Sequence, residues 1–512
     1  MESVDIIIVG SGIAGLSLSI QLAELRKDLS IVIFTKSDDF ESNTRYAQGG
    51  IAGVFDLKQD SFQDHINDTL NAGGGLCNEE IVKKIIYSAP DRILELEKWG
   101  VDFTKNKAGV KEAVLEGGHS FPRVIHSKDQ TGSEVENSLL KKIKEFPSIQ
   151  MFNHFRVIEL MSRKDNGKTV LDGVKVLDSI SESIKVLYSK VVVLSTGGCG
   201  QIFQFTTNPK IATGDGIALA KKIGAFVKGM NFIQFHPTAF YEKDVSPMFL
   251  ISEAVRGAGA YIVNQDENRF VFDYDTRGEL ATRDIVTKSI LSELKKSNQE
   301  HVYLDCRHID LEKFQRSFPT ILAYCELKGY SISKDLIPIV PAAHYQCGGI
   351  VVDEFGETDI QNLYAIGECS NTGMHGKNRL ASNSLLEALA FAHFSAHKIV
   401  KIISENPINK TIVSDQKWDN FHQKDILEIQ TKLQAIMSRY AMIGSSLEEL
   451  EFGLKKIVDL ETEHQNLFSD TSFSIDKWSL SNSFLISKMI LSESISELLK
   501  EKLDLDQKLV LR

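Results

Sequence analysis

Gly10, Gly12 and Gly15 form a G-x-G-x-x-G between the apolar run Val4 to Val9 and the stretch Leu16 to Leu25. The chemistry this spacing offers is pyrophosphate binding. Between a strand and a helix, the first glycine permits a tight turn and the second lets backbone approach a pyrophosphate. The third lets helix pack on strand. The helix N-terminus then presents unpaired N–H groups and a positive dipole end to the phosphates. A second apolar run, Lys190 to Leu194, leads into STGGCGQ, so Thr196 and Gly197 mark another close backbone approach. Titratable side chains gather on other glycine-rich stretches. These are EGGH from Glu116, QFHPTAF from Gln234, SEAVRGAGAY from Ser252, RGELATRD from Arg277 and PAAHYQCGG from Pro341. Core segments rarely crowd polar, charged and glycine residues this way, and a series of such loops points to an active-site domain.

The elements that must position these groups are predicted from periodicity. Val4 to Val9 reads as a buried strand and Leu16 to Leu25 as the helix behind the glycines. Ser30 to Thr35 reads as the second strand, and Lys36 stands where a dinucleotide fold often carries an acid for a ribose hydroxyl. That departure disfavours NAD in its usual pose and leaves FAD open. Asn43 to Gly53 is a polar, glycine-rich loop, and Glu79 to Gly100 is a helix with Ile81, Ile85, Ile86, Ile93 and Leu96 in an apolar stripe. Arg123 and His126 follow EGGH, and Thr131 to Phe146 reads as a helix. Phe155 to Ser189 changes to short β-rich runs split by Asp165-Asn166-Gly167, a hairpin signal, and is expected to be a small layer inserted before the next core strand. Thr213-Gly214-Asp215-Gly216 opens a helix to Gly224. From Gly349 the chain is expected to return to the first domain. Ile350 to Val352 and Leu363 to Ile366 read as strands, and Ser384 to Ile403 as a long helix. The tail from Asn406 is helical and glycine-poor. Ser446 and Glu449 form a capping box there, with Leu447, Leu450, Leu454, Ile457 and Val458 as the apolar face behind it. It holds no catalytic constellation and reads as a packing or oligomerisation bundle.

A chain of 512 residues is too long for one core and implies two to four domains. The net charge of −11 argues against nucleic acid and against an anionic membrane surface, while a local arginine cluster can still take an anionic substrate. The six cysteines form no CxxC pair, which fits reduced thiols in a cytoplasm and offers no metal frame. Strand one begins at Val4, so no signal peptide is expected, and no apolar run reaches the ~18 residues of a membrane span.

Taken together, VGSGIAGLS, RYAQGGIA, STGGCGQ, ATGDGIA, QFHPT, EAVRGAGA, RGELATRD, PAAHYQCGG, LYAIGE and NRLASNSLLE, in this order, resemble the succinate dehydrogenase and fumarate reductase flavoproteins. LEGGHS points to the L-aspartate oxidase branch. The resemblance covers nearly the whole chain and is weakest after about residue 406. It implies an α/β chain in which a Rossmann-like FAD-binding domain (1–233 and 346–405) carries an inserted α+β capping domain (234–345). A C-terminal all-helical domain (406–512) follows. It implies FAD contacts from Ser11, Ile13 and Ala14 beside the glycines, from Lys36, and from Asn43, Thr44, Arg45, Tyr46, Ala47, Gln48, Gly49 and Gly50. Asp215, Glu368, Ser384 and Leu385 complete that set. Relatives in membrane complexes attach FAD through a histidine in the loop before Gln48; Asn43 stands at that place, so non-covalent FAD is expected.

The substrate implied is a four-carbon dicarboxylate, for which arginine is the natural partner through planar, bidentate capture. Arg379 and His344 are expected on one carboxylate, His236 and Ser252 on the other, with Gln234 on the same face of an extended segment as His236. The family usually has threonine where Ser252 stands, so looser positioning is expected there. Arg283 would transfer the proton. A guanidinium is a poor base, so Glu253 and Arg256 would relay protons to it. The function implied is oxidation of L-aspartate to iminosuccinate with oxygen or fumarate as electron acceptor, first in the route to quinolinate and NAD. Quinolinate synthase is the candidate partner. The alternatives are a soluble fumarate reductase or succinate dehydrogenase, and a non-catalytic FAD-binding scaffold. Glu116 discriminates the first pair, because a carboxylate beside the α-amino group favours aspartate.

Overall fold

The computed structural model describes residues 2–404, 406, 408, 423–465 and 474–510. Parts of the expected tail domain, 407, 409–422, 466–473 and 511–512, lie outside the described residues.

Ser3–Val9 is β-branched, buried, and central in a seven-stranded sheet. It pairs in parallel with Ile31–Phe34 on one side and with the end of Ser183–Leu194 on the other. Leu363–Ala365 extends the parallel part beside Val192, Val193 and Leu194. The helix behind the glycines is Ile13–Leu25, three residues longer at its start than the periodicity predicts. Gly15 therefore lies inside it, where a β-carbon would stand 2.2 Å from the Gly10 carbonyl oxygen. Helix Asn383–Ile402 packs against it and covers the same face of the sheet.

The expected inserted layer is instead the sheet's own continuation. Ser183–Leu194 is one strand: its first half pairs antiparallel with Lys168–Asp178, and its second half enters the parallel core. A change of partner halfway along a strand leaves its own pattern of residues unbroken, so sequence periodicity does not show it. The predicted hairpin is present, with Asn166 at φ 49° and Gly167 at φ 80°, the positive pair that a type I′ turn requires.

Ile233–Phe240, Ile337–Gln346, Val302–Asp305 and Tyr261–Val263 make a separate four-stranded antiparallel sheet, with its own apolar cluster around Val255, Ile262, Val286 and Ile339. The chain enters this unit through Val227–Lys228 and leaves it through Gly349–Val351, and these two short strands pair with each other. In the tail, the Ser446–Glu449 capping box forms on helix Leu447–Glu463. Its buried face is Leu450, Gly453, Ile457 and Leu460; Val458 is 42% exposed and does not belong to that face. Among the described residues no helix is long and apolar enough to cross a membrane.

Candidate active site

One cleft gathers most of the residues singled out above, including 19 cofactor-loop positions from Gly10 to Leu385 and the far group Glu116, His236, Ser252, Glu253, Arg283, His344 and Arg379. Its empty volume, open solvent included, is about 1710 Å³.

The strand end and helix start build the first part. Gly10 sits at φ 114°, a conformation open to glycine, and a β-carbon there would lie 2.2 Å from the Ser195 carbonyl oxygen. Gly12 caps the helix with no side-chain hydrogen bond of its own, and Thr44 Oγ1 accepts from the Ile13 N–H at 3.0 Å. Ser11 Oγ, Asn43 Oδ1, Gln48 Oε1 and Thr196 Oγ1 are buried, unpartnered within the protein, and belong to residues of the cleft wall. Buried polar atoms rarely stay unpaired, so this set fits a large polar ligand such as FAD. Gly15 and Arg45 do not reach the wall. Gly15 serves helix packing, and Arg45 donates to Asn137 at 3.1 Å.

Lys36 explains its own oddity. Its ammonium lies 2.7 Å from Asp215 and 2.6 Å from Thr213 Oγ1. Burial works against the Asp215 charge, yet Lys36 and Arg156 hold that carboxyl well below the usual range. The acid that sequence pattern places at the end of the second strand is thus supplied from the helix Asp215–Lys222. Asn43 donates to Glu368 at 2.7 Å. A carboxamide offers no nucleophile for a covalent flavin link, so acid precipitation of the holoprotein is expected to leave its yellow FAD in the supernatant. Flavin retained in the denatured pellet would overturn this.

At the other end three arginines are held in different ways. Arg283, at the start of helix Arg283–Ser297, donates to Glu253 at 2.6 Å and to Gln234 at 2.8 Å. Arg256 lies 3.2 Å from the second Glu253 oxygen, one turn along the short helix Glu253–Gly257. Burial raises the cost of charge on Glu253, but Arg283 and Arg256 keep its carboxyl below the ordinary glutamate range. Among the described residues Arg379 has no carboxylate partner. Its guanidinium sits 4.4 Å over the Tyr345 ring and donates to Ser384 at 2.8 Å. Burial, then Arg283, lowers its pKa to about 10, so it stays charged at neutral pH. A cation held by a ring face and a hydroxyl keeps its charge free for an incoming carboxylate.

His236 and His344 stack edge to face with centroids 5.1 Å apart. Burial, then Arg283, pushes both imidazoles well below their usual pKa, so they act as neutral hydrogen-bond groups. Thr207 Oγ1 sits 2.8 Å from His344 Nδ1, leaving Nε2 for a ligand. Ser252 caps its helix by accepting from the Ala254 N–H at 3.3 Å and belongs to the cleft wall. Gln234 and Arg256 are off the wall. Gln234 stands behind Arg283 and also donates to Asn378 and to the Arg379 carbonyl.

Glu116 is 3% exposed and accepts from Ser382 Oγ at 2.6 Å. Ser382, at φ 60°, also takes the Gly50 N–H at 3.2 Å. The loop carrying Glu116 is pinned by His119 against the Ala381 carbonyl at 2.9 Å, and by Arg123 against Asp60 at 2.7 Å and Asp68 at 2.6 Å. Neither aspartate stands near Arg123 in the chain, so the sequence alone does not pair them with it. His126 turns away to the Lys128 carbonyl. Another group unforeseen is Glu387, which takes the Tyr345 hydroxyl and His375 at 3.0 Å each and so fixes the ring under Arg379.

Comparison with known proteins places these residues in context. Residues 5–385 match the FAD binding domain family. An L-aspartate oxidase of Acinetobacter baylyi is 40% identical, covering 95% of this chain and 90% of that protein. L-aspartate oxidase 2-a, chloroplastic, of Nicotiana tabacum is 38% identical over 96% of this chain and 79% of its own. Among solved structures, an E. coli quinol fumarate reductase superposes with a TM-score of 0.85 at 27% identity, covering 97% of this chain and 89% of that one.

Proposed function

The chain belongs to the L-aspartate oxidase family, within the FAD-binding succinate dehydrogenase and fumarate reductase flavoproteins, and we propose that it oxidises L-aspartate to iminosuccinate. The observation that carries this reading is the charge of the substrate end. Arg283 and Arg379 on the cleft wall, with Arg256 behind them on Glu253, stand against two carboxylates, Glu116 and Glu253, which leaves one positive charge in excess. Aspartate, with two carboxylates and one ammonium, balances that excess. Succinate or fumarate, with two carboxylates and no ammonium, overshoots it.

On this reading Arg379 and neutral His344 take one carboxylate, while neutral His236 and the Ser252 hydroxyl take the other. Glu116 accepts the α-ammonium. Bound FAD supplies the hydride acceptor, held by the cleft residues from Gly10 to Leu385. Arg283 hands its own proton to Glu253 as it accepts the one from the neighbouring carbon, which gives the enamine; the enamine then loses an ammonium proton and regains one at carbon to become iminosuccinate. Glu253 and Arg256 stand behind it as a relay, and Arg256 donates onward to the Glu279 carbonyl. The Glu279 carboxylate meets the partly exposed Arg269 at 2.8 Å. Gln234 fixes the second arm of Arg283 and acts through it. Residues 234–345 form a lid over the substrate, hinged at the paired strands Val227–Lys228 and Gly349–Val351. We place the electron acceptor as oxygen or fumarate, the setting as the cytoplasm, where unpaired cysteines persist, and the product's consumer as quinolinate synthase, since an imine hydrolyses in water.

Aerobic hydrogen peroxide formation with L-aspartate, but not with D-aspartate or succinate, is the expected result. Peroxide from succinate and none from L-aspartate would replace this reading by the succinate dehydrogenase one. The lid carries its own expectation: loops between Gln234 and Tyr345 should gain protection from proteolysis with FAD plus a dicarboxylate. Identical cleavage with and without ligand would refute a mobile lid.

A further inference from the structure

The C-terminal helix Ile475–Val510 carries no reacting group, yet it touches the cofactor cleft from behind. Asn482, with no exposed surface, donates from Nδ2 to Asp215 Oδ1 at 3.0 Å and accepts from Lys222 Nζ at 2.6 Å. One turn earlier, Ser479 Oγ accepts from Arg156 at 3.0 Å. Asp215 and Arg156 are both on the cleft wall; Asn482 is not. The helix is seated by Phe484, Ile486 and Ile490, which share a core with Ile217 and Ala218 of the helix that Asp215 begins.

We infer that Asn482 is a positioning residue for FAD and that the C-terminal helix is therefore part of the cofactor site. An amide has one donor end and one acceptor end, so its two partners set its orientation. Lys222 takes the oxygen, which forces the NH₂ toward Asp215. A carboxylate has about four lone-pair sites. Lys36, Thr213 and Asn482 occupy three of those on Asp215, and one remains to accept from a cofactor hydroxyl. Lys36 lies just past the second strand, Ile31–Phe34, where a dinucleotide fold meets the ribose of its AMP half, so a ribose hydroxyl is the group that the free lone pair would take. Without Asn482, Asp215 Oδ1 loses its fixed donor and the carboxylate is free to rotate off that hydroxyl.

The test is FAD affinity, read from flavin fluorescence on titrating the apoprotein. Hydrogen bonds to charged groups set the scale, so Asn482→Ala is expected to weaken FAD roughly ten- to a hundredfold. At saturating FAD, kcat and KM for the dicarboxylate should be unchanged, because the hydrogen bonds of Asn482 go to Asp215 and Lys222 and to none of the substrate-end residues. Lys222→Met is the second variant. It changes an exposed residue, leaves Asn482 in place and frees the amide to flip, and a smaller loss of FAD affinity is expected. If Asn482→Ala does not fold, Lys222→Met decides. Unchanged FAD affinity in the folded variants overturns the inference, as does a loss of kcat at saturating FAD with FAD affinity intact. Failure of the parent itself to bind FAD would refute the cofactor reading instead, so the two failures are distinguishable.

Discussion

Arg283→Leu is expected to lower kcat for aspartate oxidation by roughly a hundred- to ten-thousandfold, the usual range for removal of a general acid–base group. Fumarate reduction with an artificial electron donor should fall by the same factor, because both directions move a proton at the same carbon. The geometry predicts where the loss appears. Arg283 is fixed at two points, Glu253 at 2.6 Å and Gln234 at 2.8 Å, and its charge is already balanced by Glu253. It therefore adds little to carboxylate binding, and KM should change far less than kcat. Arg379 is the opposite case. It lacks a carboxylate partner among the described residues, so removing it should act mainly on KM. Glu253→Gln should mimic Arg283→Leu in part, since the relay loses its charge while the contact distance survives. A variant of Arg283 that retains kcat and loses only affinity would make it a binding residue, and the proton would have to be assigned elsewhere.

Much of this site is legible in the chain because backbone constraints leave marks in residue type. Gly10 at φ 114° and the close packing of Gly15 against Gly10 require glycine, and the strand–turn–helix setting names the ligand class. Loops that must carry charge into a cleft stand out against core texture, which is why Arg283, His236 and His344 are readable, whereas Arg379 is marked only by the family resemblance. Partners supplied from far along the chain are not. Asp60 and Asp68, which hold Arg123, are ordinary surface letters until folded. Gln234 reads as a substrate ligand from its place beside His236, yet register shifts on both sides of Phe235 and His236 turn the strand, so it backs Arg283. Asn482 sits on a polar-looking stretch of the tail and shows its meaning only beside Asp215.

Glu116→Gln is expected to reduce kcat/KM for L-aspartate strongly while sparing fumarate reduction or improving it. Charge-assisted hydrogen bonds contribute roughly 1.5–3 kcal/mol. At about 1.4 kcal/mol per decade that is on the order of ten- to a hundredfold. The direction for fumarate follows from the charge excess at the site. With Glu116 ionised, the excess suits aspartate; with Glu116 neutral, a second positive charge is uncompensated and suits a dianion with no ammonium. Burial, then the nearby Glu253, raises the Glu116 pKa above the ordinary glutamate value, while Ser382, Arg283 and Arg379 oppose the rise. The sign for pH follows. As pH falls through that raised pKa, Glu116 takes a proton, aspartate loses its ammonium partner and kcat/KM for aspartate drops. Over the same range fumarate should bind more tightly, since the site sheds a negative charge. In Glu116→Gln both acid limbs should vanish, because the amide does not titrate. The glutamine also keeps the hydrogen bond to Ser382 and the size that the 2.9 Å approach to a Gly49 β-carbon position implies, so loss of folding is not the expected cause. An equal fall in both activities, with both acid limbs retained, would make Glu116 a support for the Ser382 loop and leave aspartate selectivity to another residue.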